Sequence, residues 1–377
     1  ANNERIKIAQ YQIDFQKTGK SGAITIPKTE LLYTNGEFNN PTIQDNIYGI
    51  SQRINFPSLY SSQFKLAKEK VNSSEQLKII EENQLMGDVK SAYLQYVFVQ
   101  EQRKLLQRQD SLYGNLERSS LQRYKTGEST KLESVTSTAQ SMQIKNRLQQ
   151  NTADLKIVNK QLQILLNTTD DIAVVDSELL PYGLKADLES NSVVQSPLIN
   201  YLQQQLKVNE QETKVERNKM LPDIIFGYNS QTFIGAQNSN SINQAYTDSD
   251  RFSFYQVGIA IPIFPSGHHS KIKAAKINED IAQSHLDLTK TTLQGKLQNL
   301  LQEYYKFQST LQYYQKEALP QAKLIIDNSE KSFKSGDISY AEYLQNLTLA
   351  NTIQTDYLDS LYQYNQSIIV IETLMGL

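Results

Sequence analysis

The chain is written twice. Arg123-Tyr124-Lys125-Thr126-Gly127-Glu128 returns as Ser332-Phe333-Lys334-Ser335-Gly336-Asp337, and Phe56-Pro57-Ser58 returns as Phe264-Pro265-Ser266, both about 208 residues downstream. A duplication of this length, in which each half alternates short period-two stretches with very long helical ones, points to a repeat-built assembly and away from a catalytic pocket. Ala1 aligns with Ser196, so the chain starts where a repeat starts, as expected of a processed product or of part of a longer chain. The expected organisation is a first repeat over residues 1–167 (a helix, a strand pair over 24–56 and a long helical hairpin over 58–166). A linker follows over 168–195. The second repeat covers 196–377, with its strand pair over 222–264 and its hairpin over 266–376.

The helical stretches carry the strongest local signal. From about Ser61 to Arg123 there is no proline, and apolar residues recur at Leu85, Val89, Ala92, Tyr96 and Val99, in steps of three or four that mark one helical face. Beyond the turn, Leu148, Leu155 and Leu162 stand seven apart with Val158 and Leu165 between them, a heptad seam. The second half answers with Leu347, Tyr357, Leu361, Tyr364, Ile368 and Ile371. A helix of some 60 residues reaches about 90 Å at 1.5 Å per residue, so it needs helical neighbours along its length. Only 39% of residues are hydrophobic, and the mean hydropathy of -0.52 fits thin, extended packing better than thick cores.

Each hairpin carries its own turn chemistry. Gly127 and Gly336 suit the left-handed conformation that ends a helix, and Thr130-x-x-Glu133 and Ser339-x-x-Glu342 read as capping boxes that start the next one. Between the helices, Ile50, Gln52, Ile54 and Phe56 alternate with Ser51, Arg53 and Asn55. Val257, Ile259, Ile261 and Ile263 do the same, so these segments read as strands. Their partners are expected over about 26–38 and 222–233, and the Asn/Gly/Ser-rich stretch 237–250 reads as an exposed loop. Four such strands cannot close a barrel or hide their own edges. If they enter a membrane, several chains must supply one barrel.

Composition excludes other classes. Lys plus Arg total 38 against 40 Asp plus Glu, so no basic excess attracts nucleic acid. The absence of cysteine removes disulfides, thiolate catalysis and cysteine zinc sites. No apolar run is long enough for a transmembrane helix, a test that a β-barrel escapes. No phosphate loop, nucleophile elbow or HExxH is present, so the chain does not read as an enzyme and no cofactor is expected. Adjacent His268 and His269 point about 100° apart on a helix with no completing carboxylate set, so no metal site is assigned. Met86, Met142, Met220 and Met375 form no ladder for a soft metal. Tyr33, Tyr48, Tyr60, Tyr228 and Tyr255 near the strands suit an interfacial belt or ordinary strand preference equally.

Ser196-Pro197-Leu198 opening a helix that ends at Met220-Leu221-Pro222-Asp223, then Phe264-Pro265-Ser266 before a long helix, then Phe333-x-x-Gly336 at a tip, resembles the TolC family of outer-membrane efflux ducts. The first half, with Gly36-Glu37-Phe38-Asn39, Asp45-Asn46, Ser51-Gln52, Arg123 to Glu128 and Leu132-Glu133, is similar to the subgroup that serves heavy-metal pumps of the resistance-nodulation-division (RND) class.

The resemblance implies a mixed α and β fold in which long antiparallel helical hairpins form an α-barrel and each protomer lends four strands to a twelve-stranded trimeric β-barrel. It implies a homotrimer in the Gram-negative outer membrane, in contact with outer-membrane lipid, with a helical tunnel in the periplasm. The partners implied are a periplasmic adaptor of the membrane fusion class and an inner-membrane RND pump that supplies the energy. The segment 168–191, with Asp170-Asp171 and Pro181-Tyr182-Gly183, becomes a belt outside the tunnel. Glu133 and Glu342 match positions that ring the periplasmic aperture in the family and would favour cations, or else only cap their helices. Gln345 stands at a nearby position that can be acidic in relatives. Arg123, Tyr124, Lys125, Gly127, Ser332, Phe333, Lys334 and Gly336 are the expected tip turns and adaptor contacts, with simple helix-end packing as the alternative. Two other readings are a soluble periplasmic coiled-coil scaffold, which would lack the duplication, and an enzyme on a helical scaffold, which would need a catalytic cluster.

Overall fold

Periodicity governs the architecture throughout. The computed structural model describes residues 3–172, 178–184, 196–239 and 242–377. Ala1 and the remainder of the expected 168–195 linker lie outside them. In order, the elements are α1 (Glu4–Ser21), β1 (Glu30–Asn40), β2 (Ile43–Ile54), α2 (Pro57–Lys125) and α3 (Lys131–Leu166). There follow α4 (Pro197–Asn218), β3 (Asp223–Thr232), β4 (Gly235–Ser239), β5 (Ile242–Tyr246), β6 (Arg251–Ala260), α5 (Ser266–Tyr313), a π turn (Tyr314–Ala318), α6 (Leu319–Ser335) and α7 (Tyr340–Met375). A helix, a pair of long strands and two long helical runs therefore occur in that order twice. The chain divides into a unit of residues 9–77 and 200–287, which holds the strands, and a unit of 1–8, 78–199 and 288–377, which holds the helical tips.

In the strand unit, β1-β2-β3-β6 form one antiparallel sheet. The two halves meet through β2 and β3, from Ile47 opposite Gln231 to Ile54 opposite Ile224. β1 starts at Glu30, four residues later than the alternation suggests, because Pro27 has no N–H for a ladder. β6 stops at Ala260 before Pro262 for the same reason, and Ile261 and Ile263 extend past the pairing. The register puts Leu31, Tyr33, Tyr48, Ile50, Ile54, Ile224, Phe226, Tyr228, Tyr255, Val257 and Ile259 on one face. That face stands exposed, with Tyr255 at 85% and Val257 at 73%. The other face is mixed, carrying Thr34, Gly49, Ser51, Arg53, Gly227, Asn229 and Gln256 among Leu32, Ile47, Ile225, Phe252 and Phe254. At Gly49 a Cβ would come within 2.7 Å of Asn229 Oδ1, so the Asn229 side chain would have to turn aside for a larger residue.

The expected loop at 237–250 is corrected. β4 and β5 pair antiparallel from Gly235 opposite Tyr246 to Ser239 opposite Ile242. A polar segment shows no apolar alternation, so its backbone pairing leaves no period-two trace in the sequence. The ribbon leaves the sheet at Gly235, whose φ of +117° lies where a side chain would be strained. Just before that turn, the fully buried Asp45 accepts hydrogen bonds from Ile234 N at 2.8 Å, Thr232 Oγ1 at 2.9 Å and Asn39 Nδ2 at 2.8 Å. One carboxylate thus ties the β1–β2 turn to the end of β3, with its lone pairs satisfied as burial requires.

In the helical unit, three apolar clusters follow the stripes. Leu94, Val97, Leu361, Tyr364, Ile368 and Ile371 belong to the largest; Ala92, Tyr96, Val158 and Leu162 to the second; Tyr113, Leu116, Ile144, Tyr343 and Leu347 to the third. Toward the tip, the buried stripe of α3 turns small, with Ser134, Ser137 and Ser141, which permits close helix approach. Gly87 serves a similar purpose between α2 and α7, because a Cβ there would lie 2.5 Å from Thr373 Oγ1. Buried polar groups are tied down: Asn151 Nδ2 donates to Val99 O at 3.0 Å, and Lys90 pairs with Glu372 at 3.0 Å. Asn365 grips the linker, accepting from Tyr182 N and donating to Leu180 O, each at 2.8 Å. The π turn between α5 and α6 has a covalent cause. Pro320 cannot donate to Lys316 O and its ring crowds that carbonyl, so the preceding turn widens. Among the described residues, no helix is long and apolar enough to cross a membrane.

Candidate functional site at the helical tips

Two helix-to-helix turns build the site, and the backbone makes them alike. Gly127 (φ +80°) and Gly336 (φ +83°) both adopt the left-handed conformation. Glu128 N donates to Arg123 O at 2.8 Å, and Asp337 N to Ser332 O at 2.8 Å, the wrap-around bond that closes a helix C-terminus on glycine. Each following helix begins with a hydroxyl cap: Thr130 Oγ1 accepts from Glu133 N at 3.2 Å, and Ser339 Oγ from Glu342 N at 3.3 Å.

The side chains then diverge. At the second tip the capping box is complete, with Glu342 Oε2 accepting from Ser339 N at 2.7 Å and from Ser339 Oγ at 2.8 Å. These bonds, the backbone one first, hold the Glu342 carboxyl below the usual glutamate range, and the side chain stays exposed. At the first tip the box expected from Thr130 and Glu133 is only half formed. Glu133 Oε1 instead accepts from Arg123 Nη1 at 3.4 Å, because an arginine stands one turn before Gly127 where the second tip has Ser332. The two glutamates that the repeat equates are therefore in different electrostatic states: one carries an open charge, the other a paired one.

Arg123 also joins the tips, its Cζ lying 5.5 Å from the Phe333 ring centroid. Phe333 stacks on Tyr343 at 4.6 Å with 6° between planes and meets Tyr340 edge-on at 6.4 Å. Burial pushes the hydroxyls of Tyr340 and Tyr343 up. Tyr124, Lys125, Gly127, Lys334 and Gly336 face solvent, whereas Arg123, Ser332 and Phe333 are half-buried. The expected contact set thus separates into an exposed rim and a packed joint between hairpins. Below it, Thr130, Leu132, Glu133, Ser339, Tyr340 and Leu349 help line a cleft of about 900 Å³. The exposure of Leu132 (76%) was not legible as a site feature, since one exposed leucine carries no pattern. His268 and His269 lie far from the tips in sequence, and among the described residues no three His, Asp or Glu side chains converge on a point.

Long helical hairpins together with a small sheet that exposes an apolar-rich face define the channel-forming class of envelope proteins. The outer membrane efflux protein family matches residues 188–377, half of the chain, and the protein belongs to that family. Its place is the outer membrane of a Gram-negative cell with its helices in the periplasm, and it is a passive efflux channel, not an enzyme. The fold is shared with the CmeC outer membrane channel of Campylobacter jejuni (TM-score 0.78, 16% identity, covering 100% of this chain and 83% of that one). It is shared also with CusC, solved in a study of folding and transmembrane channel formation (0.81, 16%, 100% and 89%). VceC from Vibrio cholerae is a third such structure (0.77, 10%, 100% and 93%). A search of curated protein sequences finds no match.

Proposed function

We propose that three copies of this chain form one exit duct, with the strand units closing a twelve-stranded barrel and the helical tips meeting a periplasmic adaptor of an RND pump. The observation that carries this reading is the sheet itself: β1 and β6, of 11 and 10 residues, are its two free edges, and one face carries an apolar row from edge to edge, Leu31, Ile50, Tyr228 and Tyr255. In hydrocarbon, unpaired strand edges are untenable, so β1 of one copy pairs with β6 of the next. Two copies would give eight strands, whose interior side chains fill, while three leave an aqueous bore. The mixed inner face, with Arg53, Ser51, Asn229 and Gln256, suits that bore. The doubled element order supports a tandem repeat of 1–167 and 196–377 joined by 168–195.

The rim of Tyr124, Lys125 and Lys334 around the two glycine turns is the adaptor contact, and Arg123, Ser332 and Phe333 hold the hairpins together behind it. The aperture favours cations through Glu342, with Glu133 held in reserve by Arg123. The first-half likeness to the heavy-metal subgroup supports soft or borderline metal cations such as copper, silver or zinc as cargo selected by the pump. Cysteines placed at Tyr33 and Tyr255 test the closure, since the chain has none of its own. A bis-maleimide should give covalent species that stop at the trimer, and a ladder that ends at monomer or dimer would defeat the reading.

A further inference from the structure

The apolar face of the sheet ends in a cation. Arg251, the first residue of β6, lies on the same face as Tyr48, at the end of the sheet opposite the strand ends that lead into α2 and α5. Its guanidinium lies over the Tyr48 ring, 4.6 Å from the centroid. Nε donates to Ser230 Oγ at 3.0 Å, Nη2 to Ser230 O at 2.6 Å and Nη1 to Asn46 Oδ1 at 2.7 Å. Three of its five N–H groups are thereby used, and one on each Nη remains. No carboxylate of the described residues pairs with it. Asp45 is spent on Thr232, Ile234 and Asn39, and Asp250 on Thr247 N and Oγ1. Beside this fixed charge, which has no ion-pair partner among the described residues, runs a groove of about 420 Å³, lined chiefly by Leu31, Tyr33, Tyr48, Ile50, Tyr228 and Ser230.

We infer that this groove and Arg251 form a lipid site, in which an acyl chain of the outer leaflet lies along the tyrosines and a headgroup phosphate sits on the two remaining N–H groups. The inference rests on the barrel reading above, which turns this face outward and places the hairpin end outside the cell. The two remaining guanidinium donors, one on each Nη, suit phosphate oxygens. A charge on the outward face is tolerated at the interface and not at mid-membrane, and the tyrosine row beside it marks that interface. Asn46 and Ser230 are the arms that keep the guanidinium from folding into water, so the site is pre-organised at little entropic cost.

Native mass spectrometry of the detergent-purified protein, titrated with diphosphorylated lipid A and with its dephosphorylated form, tests the site. The wild type should prefer the phosphorylated lipid, and Arg251→Gln should weaken it about tenfold, the scale of one charge-assisted hydrogen bond. Arg251→Lys should lose less, and Asn46→Ala, which leaves the charge but frees it, should fall between. Equal binding of both lipids by the wild type, or no effect of Arg251→Gln in a folded protein, would overturn the site. A nitroxide on a cysteine at Val257 separates the two readings. If it collides with oxygen dissolved in lipid, the barrel stands whatever Arg251 does; if it collides with a water-soluble nickel complex, the barrel reading itself has failed.

Discussion

Arg123 touches both tips at once: its Nη1 is 3.4 Å from Glu133 of its own turn, and its Cζ is 5.5 Å from the ring of Phe333 on the other. The contact with Phe333 is worth about 0.5–1 kcal/mol. The ion pair, more than a third exposed on the arginine side, adds about 0.2–1 kcal/mol after screening. Together they are too weak to hold the fold and large enough to set how often the hairpins part. Arg123→Gln should raise the open fraction of single channels in planar bilayers several-fold while leaving thermal unfolding nearly unchanged. An unaltered open fraction would remove the joint.

Ion selectivity distinguishes the two glutamates. Glu342→Gln should reduce cation preference, because it deletes an unpaired exposed charge. Arg123→Gln should increase it, because Glu133 is released. Reversal potentials across a salt gradient read both, and equal shifts of the same sign would show that pairing at the first tip does not matter.

The capping box gives the start of α7 an acid dependence. The folded Glu342 carboxyl titrates below its unfolded value because it accepts from Ser339 N and Oγ, so the cap stabilises above the ordinary glutamate range and is lost as pH falls through the lowered folded value. Amide exchange over residues 339–343 should be protected at neutral pH and lose protection on strong acidification, and Glu342→Gln should flatten that dependence.

Asp359 behaves in the opposite sense. The side chain is solvent-exposed, but packing around it, with the Asp356 carboxylate adding to it, raises its carboxyl above the usual aspartate range, so its contribution, screened by water, is full at low pH and is lost as pH rises through the raised folded value. Asp359→Asn should therefore stabilise α7 at neutral pH and change little under acid conditions. Exchange rates near residues 356–362 measure this, and a destabilisation at neutral pH would contradict it.

Packing offers the plainest check. Gly87→Ala puts a Cβ 2.5 Å from Thr373 Oγ1 and should cost about 1–3 kcal/mol by overpacking. Asn365→Ala leaves Tyr182 N and Leu180 O without their partner and should cost about 2 kcal/mol, with increased exchange confined to the linker. Denaturant midpoints rank the two against wild type.

What the sequence by itself determined is the set of local elements. Steps of three and four marked α2, α3 and α7, alternation marked β2 and β6, and Gly127 and Gly336 marked the turns, because these signals depend on neighbours within a few residues. The tertiary structure alone decided what lies opposite what. It joined β2 to β3 across the two halves, paired the polar β4 and β5, and made Asp45 a knot between turns far apart in the chain. It also broke the equivalence of Glu133 and Glu342, which occupy matched positions in the repeat. The physical reason is that a carboxylate takes its state from the donors around it, and Arg123 has no counterpart at Ser332.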